Sequence, residues 1–139
     1  MGTTTQLREV SATTVLCTID DLIENAGVCA LFDGPNGEEQ IALYYLPAQS
    51  PSVFALNNWD PLGKANVLSR GILGSVNSTL VVASPLYKQH FSLISGECLE
   101  DSTVKVKTYD VDVIDNKIVL LEQKETVASL SQDSPDSAA

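Results

Sequence analysis

Few residues in this chain are equipped for chemistry. His90 is the single histidine among 139 residues, so any imidazole base or ligand must be this one. With Ser84 and Asp60 it supplies the residue types of a nucleophile, base and orienter. Triads need mutual hydrogen bonds, however, and nothing around Ser84 matches the G-x-S-x-G turn that presents a nucleophilic serine. His90 therefore ranks as a contact residue at a loop edge, and no catalytic residue is assigned. Cys17, Cys29 and Cys98 could join His90 in a thiolate–imidazole metal site only if ligands converged from separate segments, without the close chelating spacing of such sites. In "TYDVDVID" (Thr108–Asp115) carboxylates alternate with apolar residues, which describes a strand with one wet face rather than a cage for a cation. No G-x-x-x-x-G-K-[ST] or G-x-G-x-x-G segment is present to cradle phosphate. Asn77-Ser78-Thr79 has the form of a glycosylation triplet but no meaning in a chain that stays in the cytoplasm.

One stretch is unusual. In "VVASPLYKQHFSL" (Val81–Leu93) an apolar strand runs into Ser84-Pro85, Tyr87 follows three residues after Ser84, and a second strand leaves. This is the outline of a metal-holding loop with other residues in the ligand positions. The charge pattern around it is also uneven. The chain carries −10 overall, with 18 acidic against 8 basic residues, which disfavours nucleic acid and anionic membrane as partners. Yet Pro61 to Gly96 contains no acid and holds Lys64, Arg70 and Lys88, so this window is +3 and the remainder is 5 − 18 = −13. Such a window on an acidic body is a candidate docking face. Arg70 is expected to tie its loop down through a buried ion pair, with a partner-facing role as the alternative.

The elements that position these residues are strands. "TTVLCTI" (Thr13–Ile19), "GVCALF" (Gly27–Phe32), "QIALYYL" (Gln40–Leu46), "SVFAL" (Ser52–Leu56), "TLVVAS" (Thr79–Ser84), "HFSLI" (His90–Ile94), "KTYDVDVI" (Lys107–Ile114) and "KIVLLEQ" (Lys117–Gln123) are short runs rich in β-branched and aromatic residues. Turns at Asp33–Gly37, Pro47–Pro51, Ser95-Gly96 and Asp115-Asn116 separate them. Only "TIDDLIENAG" suggests a helical turn, with Thr18 or Asp20 as its cap. The pattern predicts a mainly all-β fold, a small antiparallel barrel or sandwich. Residues 1–12 and the acidic segment 124–139 read as solvated tails, 13–123 as the domain, and about 57–97 as an inserted loop subdomain with little strand character from Asn57 to Ser78. No internal repeat is evident. The chain lacks a signal-peptide start and any apolar run of the roughly 20 residues that span a bilayer. Its odd cysteine count without C-x-x-C spacing predicts reduced thiols, with Cys17 and Cys29 as small buried hydrophobes. Together these features predict a cytoplasmic protein.

The order strand, "FALNN", "DP", "NVLSRG" (Asn66–Gly71), strand, "SPLYKQHFSL", "GECLED" (Gly96–Asp101) and closing hairpin resembles Rieske-type iron–sulfur domains, whose loops carry C-x-H and C-x-x-H. More closely it resembles the small-subunit family of NAD(P)H-dependent assimilatory nitrite reductases, Rieske-like domains that have lost the cluster ligands. The resemblance runs from about Cys17 to Leu121. It implies that Asp60 and Leu62 occupy the C-x-H positions, and Ser84 and Tyr87 the C-x-x-H positions. A Rieske cluster needs two thiolates and two imidazoles. Leu and Tyr cannot replace imidazole, Ser and Asp are hard oxygen donors, and one histidine cannot supply two rings. The resemblance therefore implies no cofactor on this chain. Tyr87 is expected to fill the space of the cluster with its hydroxyl on Ser84 or a backbone group, and Trp59 to cap it. It implies an accessory subunit of an oxidoreductase that reduces nitrite to ammonium, with FAD, iron–sulfur and sirohaem on the large subunit. The expected contact residues for that partner are Trp59, Lys64, Arg70, Tyr87, Lys88 and His90. The alternatives are a true 2Fe–2S electron carrier and a free-standing binding module on the same fold.

Overall fold

The computed structural model describes residues 13–121. The expected tails, 1–12 and 124–139, lie outside the described residues. Twelve strands and two short 3-10 turns make up the described chain. At its centre is a four-stranded antiparallel sheet in the order β10-β4-β3-β2, formed by β2 (Ala26–Gly34), β3 (Gly37–Tyr45), β4 (Val53–Asn57) and β10 (Thr108–Tyr109). A three-stranded sheet in the order β1-β12-β11 comprises β1 (Thr13–Thr18), β11 (Val111–Ile114) and β12 (Lys117–Leu121). The loop subdomain holds the ribbon β5 (Trp59–Asp60) with β6 (Ala65–Asn66), and a sheet of β7 (Ile72–Val76), β8 (Thr79–Ala83) and β9 (His90–Ser92).

The continuous apolar run in β3 shows why the centre lies there. Successive side chains of a strand point to opposite faces. Ile41 and Leu43 enter one core with Ala30, Val53, Ala55, Tyr109, Ile118 and Leu120, against the three-stranded sheet. Ala42 and Tyr44 enter the other, with Leu56, Leu68, Val82, Phe91, Leu93, Cys98 and Val106 of the loop subdomain. A sheet covered on both faces needs no polar face, and β3 has none across these four residues. Each large side chain so buried contributes roughly 1.5–3 kcal/mol. The Tyr44 hydroxyl crosses into the subdomain and donates to the Leu68 carbonyl at 2.7 Å, and burial pushes its pKa up.

The turns follow their chemistry. β2 and β3 pair in full register from Ala26↔Tyr45 to Gly34↔Gly37, with Pro35-Asn36 as the tip. Asn77-Ser78 and Asp115-Asn116, all with positive φ, join β7 to β8 and β11 to β12 as two-residue hairpins of the kind that matches strand twist. The helical turn after β1 is a 3-10 turn, Ile19–Asp21, and Thr18 rather than Asp20 starts it: the Asp21 carboxylate accepts from the Thr18 N–H at 2.9 Å.

Three expectations need correction. The segment Asn57–Ser78 is not poor in strands, since β5, β6 and β7 lie within it. β7 was hidden because it is largely exposed, carries Gly74 at its centre and pairs only with β8, so no burial alternation marks it. The predicted strand Lys107–Ile114 is two strands. It passes from the central sheet to the other at Asp110, and Val113 and Ile114 are both exposed, so alternation fails at the hairpin end. Cys29 is exposed on β2 rather than buried, and Cys17 is half-buried against the core that contains Ile41 and Ile118.

The turn at Ser95-Gly96 tests how tightly the subdomain is closed. Gly96 has φ +79°, and a Cβ there would lie 2.0 Å from the Val106 carbonyl oxygen. Gly96→Ala should lower stability by more than about 2 kcal/mol in urea unfolding, because both backbone strain and a backbone clash oppose it.

Candidate functional site

The site is built where β4 and β8 release the chain. Asn58, 2% exposed, fastens the first exit. Its N–H donates to the Gln40 carbonyl at 2.8 Å and its own carbonyl accepts from the Leu68 N–H at 3.0 Å. Its side chain accepts from the Ser69 N–H at 2.6 Å and donates to Gln40 Oε1 at 3.0 Å. Trp59 follows with its N–H on Asn57 Oδ1 at 2.9 Å, and then the chain enters the loop at Asp60. Across from it, β8 ends at Ala83, and Ser84 is held by its N–H to the Gln89 carbonyl at 2.9 Å.

Asp60 and Ser84 are the buried polar heart of the subdomain, 0% and 1% exposed. The Ser84 hydroxyl donates to Asp60 Oδ2. Asp60 Oδ1 accepts from the N–H groups of Leu62 at 2.9 Å and Gly63 at 3.0 Å, while Ser84 Oγ accepts from the Leu86 N–H at 3.2 Å. A buried carboxylate is tolerable only when its lone pairs are met by donors, and here three donors meet them. The loops also touch sterically: a Cβ on Gly63 would come 2.4 Å from Leu86 Cδ1, so glycine makes room for the neighbouring loop.

The other site residues lie around this pair. Leu62 is half-buried against the core that contains Tyr44 and Leu68. Tyr87 is 63% exposed, so it does not fill the space between the loops as expected. The Asp60–Ser84 pair already satisfies the groups that its hydroxyl would have met. Trp59 is 44% exposed and immediately precedes Asp60 in the chain. Arg70 ends the 3-10 turn Leu68–Arg70, exposed, with no carboxylate at ion-pair distance among the described residues, so the expected buried ion pair is absent. Lys64 and Lys88 are exposed at the two loop tips. His90 sits at the edge of β9, where its Nδ1 lies 2.6 Å from Glu100 Oε2 and its N–H donates to Glu100 Oε1 at 2.8 Å. Asp60 is therefore bonded to Ser84 and His90 to Glu100, and no triad forms. Sequence reasoning missed Asn58, whose role lies wholly in long-range hydrogen bonds without a local signature, and Glu100, whose only signal was its place in "GECLED".

Comparison with known proteins gives this geometry a lineage. A family model described as a Rieske-like [2Fe-2S] domain matches residues 13–121. The chain belongs to the Rieske-like domain family. It is 46% identical over 105 residues to the nitrite reductase (NADH) small subunit of Salmonella typhimurium, covering 76% of this chain and 93% of that protein. It matches the crystal structure of a putative NADH-dependent nitrite reductase small subunit from Mycobacterium tuberculosis with a TM-score of 0.71 at 38% identity, covering 80% of this chain and 95% of the other. It is also 38% identical over 103 residues, 74% of this chain, to a segment making up 10% of the nitrite reductase [NAD(P)H] large subunit of Klebsiella oxytoca.

The family description names a [2Fe-2S] cluster, which in a Rieske centre takes two thiolates and two imidazoles, and the described residues bring no such set together. Between the loops, the carboxylate and hydroxyl of Asp60 and Ser84 are spent on each other and on backbone N–H groups, Leu62 has no donor atom, and Tyr87 points to solvent exposure. Among the described residues no three His, Cys, Asp or Glu side chains converge as ligands would. The three thiols are dispersed, and burial pushes those of Cys17 and Cys98 up from the ordinary thiol value, away from the thiolate that binds metal.

Two outcomes follow. Asp60→Ala would strand the Ser84 hydroxyl and two N–H groups, and should cost about 2–4 kcal/mol; Ser84→Ala should cost about 1–3 kcal/mol. In a double-mutant cycle followed by urea unfolding, the double variant should cost clearly less than the two single costs added, because both remove the same bond. The second outcome concerns acid. The Glu100 carboxylate is held below its ordinary value of 4.5, first by the His90 N–H and then by the His90 ring. Its folded pKa is depressed, so the anion stabilises the fold above about pH 4.5 and that contribution is lost as pH falls through the lower folded value. Glu100→Gln should therefore lose less stability than the parent between pH 6 and pH 3 in a denaturant series.

Proposed function

We propose that the chain is the accessory subunit of a cytoplasmic nitrite reductase that reduces nitrite to ammonium with electrons from NAD(P)H. It binds the cofactor-bearing large subunit and holds no 2Fe–2S cluster of its own. FAD, iron–sulfur and sirohaem reside on the partner, which does the redox chemistry. The observation that carries the partner is the relative in Klebsiella oxytoca, where a domain of this kind is part of a large-subunit chain. Two modules that share one chain in one organism and are separate in another are modules that work together. The clusterless reading is supported by the donor set: the resemblance assigns Asp60 and Ser84 to the thiolate positions, and their side-chain oxygens are bonded to each other.

Contact with the large subunit falls to the loop tips, through Trp59, Lys64, Arg70, Tyr87, Lys88 and His90. All six are exposed or half-exposed on the acid-free stretch and its border. The described chain has no helix long and apolar enough to cross a membrane.

Co-expression with a tagged large subunit tests the reading. The chain should co-purify with it at a fixed ratio, and the isolated chain should be colourless, without iron or acid-labile sulfide. A brown preparation of the chain alone, with a diiron signal on reduction, would replace the accessory role with electron transfer. Failure to associate with the large subunit would leave a free-standing module.

A further inference from the structure

Two five-residue segments of the loop subdomain correspond: Asp60-Pro61-Leu62-Gly63-Lys64 and Ser84-Pro85-Leu86-Tyr87-Lys88. Each is closed in the same way. The Lys64 N–H donates to the Asp60 carbonyl at 2.6 Å, and the Lys88 N–H donates to the Ser84 carbonyl at 3.0 Å. Each ends with its lysine in the left-handed region, φ 57° at Lys64 and 66° at Lys88. The first side chains of the two segments are bonded to each other, so the two turns are locked together through a buried hydrogen bond.

Left-handed backbone disfavours a residue with a Cβ, and glycine is the default there. The other non-glycine residues with positive φ are Asn25, Asn77, Ser78, Asp115 and Asn116, short polar side chains suited to turns. The lysines have no such reason to be where they are. Neither has a carboxylate at ion-pair distance among the described residues. Closure of each turn accounts for the left-handed angle but not for lysine there, and a residue kept against local preference points to a task outside the fold. Beside the lysines stand three exposed apolar side chains, Trp59, Leu86 and Tyr87. This stretch is +3 on a chain otherwise −13.

We propose that Lys64 and Lys88 form a two-pronged clamp for carboxylates on an acidic face of the nitrite reductase large subunit, flanked by apolar contacts from Trp59, Leu86 and Tyr87. This rests on the partner reading above. A polyanion such as nucleic acid is repelled by the net charge of the chain, whereas a protein face can satisfy ammonium groups and aromatic side chains together. A second copy of this acidic chain could also offer carboxylates. The large subunit is favoured because a domain of this kind is built into such a chain in Klebsiella oxytoca.

The test exploits the strain. Lys64→Gly with Lys88→Gly removes both charges while relaxing the backbone, so the double variant should melt at or above the parent temperature. Its affinity for the purified large subunit should fall about tenfold or more, and the dependence of binding on salt should flatten. Should glycine loosen the loops, Lys64→Asn with Lys88→Asn keeps residues that tolerate this backbone without the charge, and the same loss is expected. Unchanged affinity and salt dependence in both double variants, with the parent chain binding normally, would overturn the clamp and leave the partner reading intact. No binding by the parent chain would remove the partner reading and the clamp with it. Lysine-dependent self-association of the chain in sedimentation would assign the carboxylates to a second copy and overturn the proposal.

Discussion

The hydrogen bond from Ser84 to Asp60 is the constraint on which the loop subdomain depends. One loop follows β4 and the other follows β8, separate in the chain, and a contact between them must fix how they sit together. Here it is an oxygen pair at the first position of each turn, 0% and 1% exposed, with backbone N–H groups completing the shell around the carboxylate. A buried carboxylate seldom adds net stability over apolar packing, but removing one partner is expensive, so the pair specifies one loop arrangement more than it strengthens the fold. The bond fixes geometry. Side chains at the tips inherit it.

That bond could not act without the sheet beneath it. β3 sends Ile41 and Leu43 to one side and Ala42 and Tyr44 to the other, so a single strand anchors both cores. The Tyr44 hydroxyl and the four-way bonding of Asn58 then carry rigidity from the sheet into the subdomain. A second polar tie works on the far side. Glu39 accepts from the Tyr109 hydroxyl and pairs with Lys107 at 3.2 Å, and the Tyr109 hydroxyl keeps that carboxyl below its ordinary value. Lys107 also lies 4.8 Å from the centre of the Tyr109 ring. Half-exposed, this group adds little energy, yet it pins the short strand β10 to the edge of the sheet.

Much of this was legible in the sequence where local chemistry decides structure. Turns at Asp33–Gly37, Ser95-Gly96 and Asp115-Asn116 were readable because glycine, asparagine and aspartate mark backbone that other residues avoid. The strands with one or two buried faces were readable from their apolar spacing. What escaped was structure held by distant partners. β7 has exposed residues and a central glycine, and exists because β8 offers it a ladder. Asn58 looks like any loop asparagine, and its four bonds reach Gln40, Leu68 and Ser69, 10 to 18 positions away. The sequence placed Asp60 and Ser84 at matching loop positions, but spacing does not show that two side chains meet. Arg70 misled because an arginine within the turn "LSRG" suggests a buried partner that ties the loop down, and solvent turned out to be its surroundings.

The correspondence of the two turns was also in plain view, yet a five-residue match of such common types carries little weight until geometry supports it. Periodic repeats announce themselves by hydrophobic spacing, and these segments have none. What they share is a closing hydrogen bond and a backbone angle, neither of which is a property of composition. Hairpin tips such as Asn77-Ser78 adopt positive φ because two strands must be joined with the right twist, and the residues there suit it. At Lys64 and Lys88 the backbone has the same sign of φ without the suited residue. Where local preference and observed conformation disagree twice, in the same way and at matching positions, chance strain is a poor account. The economical one is that the charge is needed at the place where the turn delivers it.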